Sequence, residues 1–107
     1  MNDRILSFLG LCRWAGKLVI GADITVESIE NGKSQLVILA EDFSIRSSKN
    51  VLMAAEKNNV KTFTINRSKD EMSFALGKLC GVLSVEDKGF ADKLTQLIEN
   101  EQRGANI

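Results

Sequence analysis

The 107-residue sequence predicts an α/β fold, with helices on both faces of a small, largely parallel sheet. Three observations carry this. Segments with helical spacing of apolar residues alternate with short apolar runs through most of the chain. One run, Leu36-Val37-Ile38-Leu39-Ala40, is continuously apolar, as a strand covered on both faces must be. Proline, low-complexity stretches and internal repeats are absent, so nothing marks a linker. A chain of this length buries one core more readily than two, and residues 1–107 are read as a single domain.

Taken in order, Asn2 or Asp3 can cap a first helix running to about Ala15, with Gly16 closing it. Ile5, Leu6, Phe8, Leu9, Leu11 and Cys12 read as its broad buried face. Leu18-Val19-Ile20 is a short edge strand or extended link, broken by Gly21. Residues 22 to 31 read as a helix with Ile24, Val26 and Ile29 inward and Gly32 just past its end. The apolar strand 36–40 then runs into Glu41-Asp42. Ser44 to Asn58 forms a helix with Val51, Leu52, Ala54 and Ala55 inward, and Asn58-Asn59 turns. Val60 to Ile65 alternates as a strand that is partly polar on one side. Ser68 and Glu71 match the reciprocal S-x-x-E cap of a helix from Lys69 to about Leu76, ended by Gly77. Val82 to Val85 is a last strand, Asp87-Lys88-Gly89 a turn, and Phe90 to about Asn100 a helix with Phe90, Leu94, Leu97 and Ile98 inward. From about residue 101 the tail is expected to fray.

Composition narrows the chemistry. The chain is 44 % hydrophobic and 26 % charged, as in an ordinary soluble globular protein. Fourteen basic residues balance fourteen acidic ones, so nucleic-acid binding requires a local basic face rather than bulk attraction. Histidine is absent, which removes the commonest general base and metal ligand and any Ser/His or Cys/His nucleophile. Cys12 and Cys80 stand alone and read as buried thiols, not a zinc pair. Arg4 followed by ILSFLGLC has a faint look of a secretion signal ending at Cys12. Arg13 and Trp14 break it, and no small residue precedes Cys12, so the helix is the better reading. No apolar run is long enough for a membrane span.

Catalytic and ligand motifs are weak. Glu41-Asp42 stands where α/β sheets often place catalytic carboxylates, as in a phosphoryl-accepting receiver domain. No second acidic pair follows an earlier strand, and capping by Asp42 or Ser44 accounts for the same residues. Neither GxGxxG nor GxxxxGK[ST] occurs. No enzyme, cofactor, metal or small-molecule substrate is therefore expected. Arg13, Lys17, Lys33, Arg67, Lys69 and Lys78 remain, and part of this set lines one edge if the strand order brings Gly21 near residues 77–81. Trp14, the only tryptophan, reads as a core-edge packing residue rather than a base-stacking platform.

AGKLVIGADITVESIENGKSQLVILAED, SKDEMSFALG from Ser68 to Gly77, and DKGFADKL from residue 87 resemble, in order and spacing, the ribosomal protein L7Ae/L30e family, its bacterial branch most closely. The resemblance covers about residues 5 to 98. It implies an L30e-like three-layer α/β/α sandwich with a small mixed sheet. It also implies a cytoplasmic RNA-binding protein whose partner is a kink-turn (a sharply bent RNA helix with tandem sheared G·A pairs) or ribosomal RNA, including the ribosome, and not a membrane. The alternative is a protein-interaction module that kept the fold and lost most RNA binding.

The family's tip, G-x-N-E-x-x-K, falls on Gly21, Ala22, Asp23, Ile24 and, three residues on, Glu27, with identity at Gly21 alone. Asp23 accepts hydrogen bonds but donates none, Ile24 reads no base edge, and Glu27 puts a negative charge near phosphate. Glu30 makes the helix more acidic still. The family's apolar RNA-touching loop falls on Lys78-Leu79-Cys80-Gly81, where Leu79 and Cys80 are expected to pack on a base or ribose. Arg13, Lys17, Lys33 and Lys78 are left to meet phosphate. Weakened or retargeted RNA binding is the expectation.

Overall fold

The computed structural model describes residues 3–104. The elements follow as α1 (Arg4–Trp14), β1 (Leu18–Ile20), α2 (Ala22–Glu30), β2 (Leu36–Ala40), α3 (Ile45–Lys57), β3 (Thr62–Ile65), α4 (Lys69–Leu76), β4 (Val82–Val85) and α5 (Lys88–Gln102).

Short polar side chains set most helix starts by accepting orphan backbone N–H groups. Asp3 caps α1 through the Leu6 N–H at 3.0 Å, while Asn2, the other candidate cap, lies outside the described residues. Ser44 caps α3, and the Ser68–Glu71 box at α4 is present in both directions, at 3.0 and 2.8 Å. The expected turn at Asp87-Lys88-Gly89 is instead the start of α5. Asp87 accepts the Phe90 N–H at 2.9 Å and the helix begins at Lys88.

The sheet order is β1-β4-β2-β3. β2 and β3 are parallel, and β4 is antiparallel to both of its neighbours. The largely parallel sheet expected from the alternation is thus corrected to the mixed sheet that the resemblance implied. The reason is α4. Its eight residues start beside the end of β3 and return the chain to that same end of the sheet, so β4 must run backwards.

The strands separate two apolar layers, giving an α/β/α sandwich. Leu36, Ile38 and Ala40 of β2 pack with Ile5, Leu9 and Cys12 of α1, Met72 and Leu76 of α4, and Leu94 and Ile98 of α5. Val37 and Leu39 point the other way, against Ile29 of α2 and Val51, Ala54 and Ala55 of α3. Leu11, Leu52 and Ile24, expected inside, lie well exposed, because each faces away from the sheet on a helix covered on one side only.

Arg67 ties three elements together. Its guanidinium donates to Asp3 at 2.6 and 3.2 Å and to Glu101 at 2.7 and 3.0 Å. Burial works to raise the Asp3 pKa, but the hydrogen bonds from Arg67 and the Leu6 N–H outweigh it and hold the carboxyl below its ordinary 3.8. The tail expected to fray from about residue 101 is described as far as Gly104. α5 runs to Gln102 with Glu101 held by Arg67, and residues 105–107 lie outside the described part.

Candidate nucleic-acid interface

Four chain segments meet at one end of the sheet. Ile20 pairs with Leu83, and the Gly21 N–H donates to the Val82 carbonyl at 2.9 Å. The Ala40 N–H donates to Gly81, and the Glu41 N–H to Arg67, each at 2.9 Å. The start of α2, the loop 77–81, the turn 41–44 and the loop 66–68 thereby share one face, and the Gly21 tip stands beside the 77–81 loop.

Gly21 opens α2 at φ 119° and ψ 153°, a conformation essentially closed to residues with a Cβ. No side chain caps α2, so its first-turn N–H groups and the positive end of its dipole are left to an outside acceptor. Ala22 is half-buried, and Asp23, Ile24 and Glu27 are exposed. The inward face of α2 is formed by Thr25, Ser28 and Ile29 with Val26 partly packed, which frees Ile24 to face solvent at the tip.

Across from this tip, Leu79 is 84 % exposed. Cys80 is corrected from a contact residue to a core residue. Its N–H donates to Ser73 Oγ at 2.8 Å, and burial pushes its thiol up to about 11. Leu79 alone presents an apolar side chain there. Phe43 packs against the loop at Gly81, where an added Cβ would stand 2.5 Å from its ring, so Gly81 joins loop and turn by lacking a side chain. Asp42 is used structurally, its Oδ1 accepting the Lys69 N–H at 2.8 Å.

The expected basic residues divide. Arg13, at the end of α1, donates to the Leu76 carbonyl and lies beside Gly77, and Lys78 is exposed in the loop. Lys17 and Lys33 are at the opposite end of the sheet. The Glu86 N–H donates to the Lys17 carbonyl at 2.8 Å, and the Gln35 N–H to Val85 at 2.7 Å. Strand β1 separates Lys17 from Gly21 by roughly 13 Å. The length of α2 places Lys33 roughly 13 Å from the tip.

Two more residues join the face, Lys69 from the basic set that the sequence offered for this edge and Ile45, which sequence reasoning passed over. Lys69 reaches it, its Cδ 3.4 Å from a Cβ built at Gly81. Ile45 is 82 % exposed as the first residue of α3. The only signal for Ile45 was an apolar residue among polar neighbours just after the Ser44 cap. Trp14 is corrected from packing residue to surface residue. Among the described residues no group of three or more His, Cys, Asp or Glu side chains could hold a metal ion, and no helix is long and apolar enough to cross a membrane.

This geometry has close relatives. The chain is 33 % identical over 98 residues to the RNA-binding protein YlxQ of Enterococcus faecium, covering 92 % of this chain and 94 % of that protein. It is 35 % identical over 96 residues to the RNA-binding protein YlxQ of Bacillus subtilis, covering 85 % and 91 %. A solved structure of a Bacillus halodurans protein of unknown function superposes with a TM-score of 0.84 at 32 % identity, covering 90 % of this chain and 97 % of that one. The model of the ribosomal protein L7Ae/L30e/S12e/Gadd45 family matches residues 3–95, and the chain belongs to that family.

Proposed function

We propose that this protein is a cytoplasmic, non-enzymatic RNA-binding domain that uses its whole chain as one unit to grip a kinked, structured RNA. The observation that carries the reading is the uncapped start of α2 standing beside the exposed Leu79 loop, joined to it through the Gly21–Val82 hydrogen bond. A helix start offers N–H donors to a phosphate, and an apolar loop can pack on unstacked bases. Arg13, Lys69 and Lys78 supply the cations of that face, while Asp23 and Glu27 make its α2 side acidic. The RNA-binding names of its relatives support the class of partner. Kink-turn geometry, whether in ribosomal or other RNA, is the finer form of the proposal.

The test is a titration into a kink-turn RNA and a control whose G·A pairs are replaced by Watson–Crick pairs, at two salt concentrations. Binding lost in the control supports reading of the kink by the Gly21 tip and Leu79. Equal, strongly salt-sensitive binding to both reduces the function to backbone attraction. Binding to neither favours the protein-interaction module. Glu27→Lys is expected to tighten kink-turn binding by removing a repulsion and adding an attraction, and an unchanged affinity would overturn this account of the tip.

A further inference from the structure

Trp14 is 88 % exposed at the C-terminal end of α1. Among the described residues it enters no aromatic pair and no cation–π contact. An indole held in water does nothing for the core. Scattered surface hydrophobics need no explanation, but this one sits in a particular setting. Its neighbour Arg13 donates to the Leu76 carbonyl and touches Gly77, so the end of α1 adjoins the 77–81 loop. That loop carries Lys78 and the exposed Leu79, and leads to Val82, the partner of Gly21.

The chain segments that meet at the end of α1 carry basic but no acidic residues. No acidic residue occurs between Asp3 and Asp23 or between Glu71 and Glu86, although the whole chain is balanced at 14 against 14. Two carboxylates approach from the end of β4, Glu86 with its N–H on the Lys17 carbonyl and Asp87 close enough to act on the Cys12 thiol, and both keep their charge but are turned to partners of their own. Glu86 accepts from Ser28 Oγ at 2.7 Å, and Asp87 accepts the Phe90 N–H. Arg13 uses one of its five N–H donors within the protein and keeps the others for a ligand. An exposed flat aromatic ring beside unshielded cations is the combination that holds single-stranded nucleic acid, the ring taking a base and the cations its backbone.

We propose that the RNA footprint extends from the α2 tip across the 77–81 loop to the end of α1, where Trp14 stacks on an unpaired base flanking the structured RNA and Arg13 and Lys78 hold the adjoining phosphates. This rests on the RNA-binding reading of the tip, and the test separates the two. Trp14 is the only tryptophan and there is no tyrosine, so intrinsic fluorescence reports this one position.

The full chain is titrated with kink-turn RNA carrying short single-stranded tails on both arms, with the same RNA blunt, and with tailed RNA lacking the G·A pairs. Trp14 fluorescence is expected to be quenched by the tailed RNA and much less by the blunt one. Trp14→Leu is expected to weaken tailed-RNA binding roughly five- to thirty-fold, with Trp14→Phe keeping most of the affinity. Unchanged fluorescence and equal affinity of Trp14→Leu, with G·A discrimination retained, overturn this inference and leave the tip reading standing. Quenching without G·A discrimination supports the stacking site and removes the kink-turn reading. No binding to any of the RNAs overturns both. A fluorescence shift on concentrating the RNA-free protein, abolished by Phe74→Ser, would overturn the inference by marking this patch as a contact between proteins, because Phe74 lines the groove beside α1 and is itself 92 % exposed.

Discussion

Gly21 shows how much of this face rests on one residue without a side chain. Its φ of 119° is open to glycine and strained for every other residue, although a Cβ there would meet nothing closer than Ile24 Cγ2 at 3.6 Å. The strain is therefore in the backbone and cannot be relieved by a neighbour moving. Gly21→Ala is expected to destabilise the fold by about 1–3 kcal/mol. It should lower the midpoint of a thermal melt by several degrees and weaken RNA binding beyond what that loss explains. A melt unchanged within a degree would show that the tip tolerates a Cβ. The need for glycine was legible, because the residue broke an apolar run just before a helix. The exposure of Ile24 and Trp14 was not. Each is an apolar side chain whose placement depends on whether a neighbouring element covers it.

Elements were legible to the degree that their ends carry local chemistry. The Ser68–Glu71 box and the Asp3 and Ser44 caps were readable because donor and acceptor lie three residues apart. The start of α5 was misplaced because Asp87-Lys88-Gly89 serves a cap and first turn as well as a free turn. The link made by Arg67 could not be read at all, since Asp3 and Glu101 lie 64 and 34 residues away. It gives the fold an acid-sensitive fastening. The folded Asp3 pKa lies below 3.8, so its stabilisation is fully present above the ordinary carboxylate value and is lost as pH falls through the lower folded one. Arg67→Ala is expected to destabilise the protein by about 1–3 kcal/mol at neutral pH. It should also flatten the fall in melting midpoint on acidification, and an equally steep acid profile in the variant would show that the sensitivity lies elsewhere.

For the molecule as a whole, charge placement matters more than charge balance. Three cations, Arg13, Lys69 and Lys78, stand at the proposed face, while Lys17 and Lys33 are at the far end of the sheet. Three phosphate contacts correspond to a slope of roughly −2 to −3 in log affinity against log salt. A slope twice as steep would mean that the RNA wraps the far end as well. The sequence by itself determined the element order, the strand covered on both faces, the glycine-opened tip and the family, because these depend on residue type at short spacing. Only the tertiary structure decided that β4 runs antiparallel between β1 and β2. That single insertion sets Gly21 beside the Leu79 loop and puts Lys17 and Lys33 at the other end of the sheet, since strand order is a contest between distant pairings that no local pattern encodes.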